Sequence, residues 1–201
     1  MATLLQTAPS SFHTVYCGPD EEVSLSAQAL SHAALYAQPG GGNNLDAAWS
    51  AMRPYADAIR SWVRGGGHYL GFCMGGYLAG FDPGFGLLSG DSREWIDSPG
   101  ATVHTIDDAA VTVSWRGQPR SIYFQDGPYF TVRPNSGSTV LATYSNGLAA
   151  VVVARYGRGS VGVTGPHPEA PASWYLESGL DDPGGVDLDL GYDLLETTLR
   201  T

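Results

Sequence analysis

Basic charge is what this chain has least of. Ten basic side chains face twenty acidic ones, for a net charge of −10 at pH 7. A surface of that sign cannot displace counterions from nucleic acid or an anionic membrane, so neither is an expected partner. The basic residues are arginines, and a phosphate-binding loop would lack its Walker lysine. Cysteine is scarce too: Cys17 and Cys73 are too few and too far apart for a disulfide scaffold or a zinc site. No run approaches the length of a membrane-spanning helix. Residues 1–12 lack both the basic start and the continuous apolar centre of a secretory signal. A cytoplasmic location, where thiols stay reduced, is the expectation. What remains is ordinary globular material: 43% hydrophobic and 15% charged residues over 201 positions, read as a single domain spanning residues 1–201, with no linker or internal repeat.

The most informative stretch is residues 64–80, Arg-Gly-Gly-Gly-His-Tyr-Leu-Gly-Phe-Cys-Met-Gly-Gly-Tyr-Leu-Ala-Gly. Residues 68–72 form a short apolar run that reads as a buried strand, Cys73 stops it, and the following glycines permit a tight turn into a closely packed helix. Gly71 and Gly75 flank Cys73 two positions away on each side, the spacing of a nucleophile elbow. A sulfur there sits at a helix start, where backbone N–H groups favour thiolate. The structural alternative is a buried cysteine among packing glycines.

A nucleophile needs a base, and Gly165-Pro-His-Pro-Glu169 supplies a candidate. Residues 161–164 read as a strand ended by Gly165-Pro166, which puts His167 just past a strand's carboxyl end with Glu169 two residues on. In an open α/β sheet that edge forms the active-site crevice. His167 could take the thiol proton while Glu169 fixes its tautomer. His13, His32, His68 and His104 have no comparable setting; His68 falls at the wrong end of its strand.

Elsewhere, residues 12–17 suggest a first strand before a turn at 18–19, acidic residues at 20–22 and a weak helix reaching Leu30. Residues 32–38 suggest a second strand ending in a glycine loop, and 45–63 a helix broken at Pro54. Residues 81–91 read as loop. Alternation over 111–115 and 121–124 indicates antiparallel strands in a β-rich insertion of about residues 100–135 beside the main sheet. Strands at 139–144 and 149–155 return the chain. A helix starting near Ala170, an acidic loop at 181–185 and an amphipathic helix over 192–199 close it.

The two strings around Cys73 and His167, in this order, resemble the class I glutamine amidotransferase superfamily. The group related to the N-terminal domain of biotin-protein ligase is the nearest match, supported by Gln38-Pro-Gly-Gly41, residues 123–130 and residues 140–144. The likeness covers roughly residues 30–201. It implies a three-layer α/β/α sandwich with a mostly parallel, flavodoxin-like sheet, and a Cys73, His167, Glu169 triad. It further implies an oxyanion hole from the amides of Gly41 and Met74, with a pocket including Gly40, Gly42, Tyr77, Asp126 and Tyr129. Glutamine-hydrolysing members usually carry glutamine where Tyr77 stands, which leaves the substrate amide open. The opening unit is shorter than the family's: either it is abbreviated, or residues 12–18 are really the second strand.

The expected function is that of a cysteine hydrolase or acyltransferase acting on a small-molecule amide or acyl compound through a thioester, with no cofactor or metal. The alternative is a non-catalytic binding or regulatory module like the domain attached to biotin-protein ligase. Oligomeric state is open, with a homodimer or a partner protein both compatible.

Overall fold

A computed structural model of the chain describes residues 1–18, 21–181, 185 and 187–201. The first helix, α1 (Ala2–Thr7), has no counterpart in the sequence reading. It is followed by α2 (Ala27–Ser31), β1 (Tyr36–Gln38), α3 (Leu45–Met52), a 3₁₀ turn at Arg53–Tyr55 and α4 (Ala56–Arg64). Pro54 has no N–H to give and so stands where one helix stops and the next begins. In α4, Ala56, Ile59 and Val63 recur on one buried face. The elbow then follows the expected pattern, β2 (His68–Phe72) into α5 (Met74–Leu78).

Beyond α5 come β3 (Ser92–Glu94), β4 (Ala109–Trp115), β5 (Gln118–Phe124), β6 (Pro128–Phe130), β7 (Thr139–Tyr144), β8 (Ala149–Tyr156), β9 (Gly159–Thr164), α6 (Ala172–Glu177) and α7 (Leu188–Arg200). The main path through the sheet is β1-β2-β9-β8-β7-β4-β5, with β6 paired to β8 and to β3. Only β1–β2 and β2–β9 are parallel; the other pairings are antiparallel. The expectation of a mostly parallel sheet is therefore corrected to a mixed one. The connections are the reason: β4–β5, β7–β8 and β8–β9 are joined by short turns, which can only reverse the chain, whereas a parallel neighbour needs a long crossover. Strands β4 and β5 continue the same sheet through β7.

The start of the chain departs from expectation. Residues 12–17 form no strand, only a single bridge between Cys17 and Val23, and the strand expected from residue 32 begins at Tyr36 because His32 caps α2. Among the described residues no strand precedes β1, so residues 12–18 are not the second strand. Pro19 and Asp20 of the expected turn and residues 182–184 of the expected acidic loop lie outside the described residues.

Helices cover both faces of the sheet. Leu70 and Phe72 of β2 and Val151 and Val153 of β8 pack with Leu4, Leu5, Leu190, Leu194 and Leu195. Tyr69, Val152, Val161 and Val163 pack with Met52, Ile59, Val63 and Leu78. Each fully buried aliphatic side chain contributes about 1.5–3 kcal/mol. No helix among the described residues is long and apolar enough to cross a membrane.

Asp193 fastens α7 to the β4–β5 hairpin by accepting from Trp115 Nε1 at 2.8 Å and from Arg116 Nε and Nη2 at 2.7 and 2.9 Å. Removing it strands an indole N–H and a guanidinium together. Asp193→Ala should cost about 1–3 kcal/mol in urea unfolding. Asp57→Ala, which breaks the Arg60 pair of an almost fully exposed carboxylate, should stay within about 0.5 kcal/mol.

Candidate functional site

Three neighbouring parallel strands end at one edge, with Gln38 opposite Gly71 and Phe72 opposite Thr164. The loop after β1, the elbow after β2 and the turn after β9 are thereby brought together. At the elbow Cys73 is buried and holds φ 48°, ψ −105°, a conformation that costs a non-glycine residue about 1–3 kcal/mol. Its N–H donates to Thr164 C=O at 2.9 Å. The flanking glycines are sterically required: a Cβ on Gly71 would meet Gly75 O at 2.4 Å, and one on Gly75 would meet Gln38 O at 2.2 Å. Tyr69 Oη donates to Gly75 C=O at 2.7 Å and pins the start of α5 from below.

His167 is 5% exposed and Glu169 7%, and Nδ1 of the ring is 2.9 Å from Glu169 Oε1. The turn holding them is fixed by Thr164 Oγ1 donating to Pro166 C=O at 2.8 Å and by His167 N–H donating to Tyr123 C=O at 2.8 Å. Burial disfavours a charged imidazole, but the Glu169 carboxylate, followed by hydrogen bonds to Cys73 and Glu169, outweighs it and raises His167 to about 10. Gly40 is the point of contact between the loop and the pair: a Cβ there would lie 2.8 Å from His167 Cε1 and 3.1 Å from Cys73 Cβ. Gly41 and Gly42 adopt φ 135° and 72° and leave open space where a side chain would be.

A cavity of about 480 Å³ opens beside the sulfur, lined in part by Gly42, Tyr77 and Asp126, expected there, by Met74, expected in the oxyanion hole, and also by Asn43, Leu45, Ile106 and Gln125; Gly40 and Gly41 are not among the lining residues. Tyr129, expected in the pocket, is not among the lining residues and packs instead against the cluster containing Leu70 and Phe72. Tyr77 Oη donates to Asp126 C=O at 3.1 Å. The Cys73 thiol donates to Gln125 C=O at 3.4 Å. Ser92, Arg93 and Glu94 of β3 complete the wall. Burial, then the charge of Asp126 and a hydrogen bond with Asp97, push the Glu94 carboxyl up to about 7. Burial likewise raises Asp126. A larger groove of about 630 Å³, lined by Trp62, His68 and Leu199 among others, lies at the opposite strand ends, away from Cys73.

Glu94 and Gln125 are cavity-lining residues that the sequence hides. β3 is only three residues long and carries no periodicity. Gln125 acts through its backbone, which no side-chain pattern announces.

Residues 21–87 match the family model described as biotin-protein ligase, N terminal; the match includes the glycine loop and Cys73 and ends well before His167. No curated protein matches the chain. Among solved structures, a glutamine amidotransferase from Thermotoga maritima is similar over 86% of this chain and 80% of its own, at 15% identity and a TM-score of 0.56. A cytoplasmic protein from Salmonella typhimurium LT2 is similar over 88% and 76%, at 16% identity and a TM-score of 0.52. A protein assigned to GMP synthase, from Thermoplasma acidophilum, is similar over 87% and 75%, at 14% identity and a TM-score of 0.50. At such identities the likeness is one of fold: the chain has a glutamine amidotransferase-like α/β fold, and residues 21–87 resemble the biotin-protein ligase N-terminal region.

Proposed function

We propose that this protein is a cysteine-dependent amidohydrolase or amide transferase, with Cys73 as nucleophile, His167 as base and Glu169 as the group that holds the ring. The observation that carries the reading is the buried His167–Glu169 pair beside Cys73 on an elbow that opens into a cavity. Glu169 makes the ring a stronger base than a free imidazole, which favours transfer of the thiol proton to it. The sulfur then attacks the amide carbonyl, and the amides of Gly41 and Met74 receive the developing oxyanion, each such donor being worth about 10²–10³ in rate. The C–N bond breaks as His167 returns the proton to the departing nitrogen. Water or a second amine, deprotonated by His167, resolves the thioester and regenerates the thiol. Tyr77 and Ile106 give the pocket apolar walls, while Glu94 and Asp126 give it an acidic side.

A second reading is supported by the match to a ligase's N-terminal region and by the contact of the Cys73 thiol with the Gln125 carbonyl: a binding module that does not turn over. Thiol reactivity separates the two. With iodoacetamide at pH 7, followed by intact mass, Cys73 should label well ahead of Cys17, whose thiol is pushed up by burial and by Glu21. His167→Ala should slow Cys73 by about 10-fold or more. Equal, slow labelling of both cysteines in both proteins sinks the enzymatic reading in favour of the module.

The two raised groups give separate pH windows in thermal unfolding. His167 lies above its ordinary 6.5, so the stability it contributes is whole below about pH 6.5 and is lost as pH rises through about 10. Glu94 lies above its ordinary 4.5, so its share is present below about pH 4.5 and lost as pH rises through about 7. Glu169→Gln should flatten the upper decline in Tm and Glu94→Gln the lower one. A decline above pH 7 that survives Glu169→Gln would show that His167 is not its source.

A further inference from the structure

Helix α6 contributes little to either main core. Only Tyr175 of its six residues is buried, while Leu176 is 81% exposed and Trp174 38%. Tyr175 joins Tyr123 and Ala170 in a small cluster separate from the two large ones. Yet the helix is held firmly. Tyr123 N–H donates to Tyr175 Oη at 2.6 Å, and just past the helix Ser178 Oγ donates to Asp108 Oδ2 at 2.6 Å. What this anchoring secures is the position of one ring. Trp174 lies edge-on to His167 at 5.6 Å between centroids and to Tyr123 at 5.3 Å, and Tyr123 itself lies 6.0 Å from His167. The two rings thereby cover one side of His167, which is hydrogen-bonded to Glu169, in a turn whose residues are all buried.

We propose that Trp174 is a positioning residue for the His167–Glu169 pair, excluding water from it, and that the Ser178–Asp108 contact is the latch that keeps Trp174 seated. This inference rests on the triad reading above. Its physical content is dielectric: the attraction between ring and carboxylate falls steeply once water enters beside them. The other titratable groups around the ring are Cys73 from the elbow, Tyr123 from β5 and Asp108 from the segment before β4. The Asp108 carboxylate is held low by hydrogen bonds from Ser178 and Tyr123 and also by the charge of His167. None of these three is removed by replacing Trp174.

The test is an NMR titration of the His167 Cε1–H signal, paired with the pH profile of Cys73 alkylation. It compares wild type with Trp174→Ala, Trp174→Phe and Ser178→Ala, each first checked for cooperative unfolding. Trp174→Ala should displace the His167 midpoint by about one unit or more and move the alkylation profile with it. Trp174→Phe should restore most of the shift, and Ser178→Ala should produce a smaller shift in the same direction. A Trp174→Ala protein that keeps a raised midpoint and the wild-type profile overturns this proposal alone. Should Trp174→Ala fail to fold, Ser178→Ala decides: a midpoint equal to wild type overturns the proposal. If wild-type Cys73 labels no faster than Cys17 and His167→Ala leaves its rate unchanged, the triad reading fails and takes this one with it.

Discussion

Two parallel strands can be neighbours only if a crossover of a dozen or more residues returns the chain to the same end. Here that constraint operates twice around β2. The passage from β1 to β2 uses α3 and α4. The passage from β2 to β9 uses almost the whole second half of the sheet, β3 to β8, before the chain lies beside the elbow strand again. The antiparallel part is thus the crossover of a parallel pair. It also supplies the site: Gln125, Asp126 and Glu94 all belong to that excursion, and all line the cavity beside the sulfur.

The same constraint explains what could be read in the sequence. The elbow is legible because sterics leave little choice there, and a Cβ on Gly71 or Gly75 would collide with backbone oxygen. The His167 turn is legible because Gly-Pro ends a strand and the base must follow it. The pairing direction of the sheet is misread when the family likeness is weighted above the short turns. The β4–β5 hairpin is read as antiparallel, but between β8 and β9 Gly157, at positive φ, and Arg158 form a two-residue turn that could only give an antiparallel pair as well. Tyr129 shows a further limit. Its aromatic neighbours suggest a pocket, but the pleat turns its side chain toward the core, and strand phase in a three-residue strand cannot be counted from sequence.

The comparisons and the geometry bear on different halves of the site. The family match spans the glycine loop and the cysteine, while His167 and Glu169 lie beyond it. That His167 nevertheless lies against that loop, hydrogen-bonded to a buried Glu169, is a property of this chain's own fold. A carboxylate withdrawn from water costs several kcal/mol unless it is answered by charge or hydrogen bonds. A structure with no use for the pair would do as well with apolar residues there.

Gly40 presses bare backbone against both the carbon that carries the sulfur and the edge of the imidazole, so one side of Cys73 is walled by main chain and the other opens to the cavity. Under the proposed chemistry a carbonyl would then come to the sulfur from the cavity side alone, past a wall made of peptide rather than of a recognising side chain.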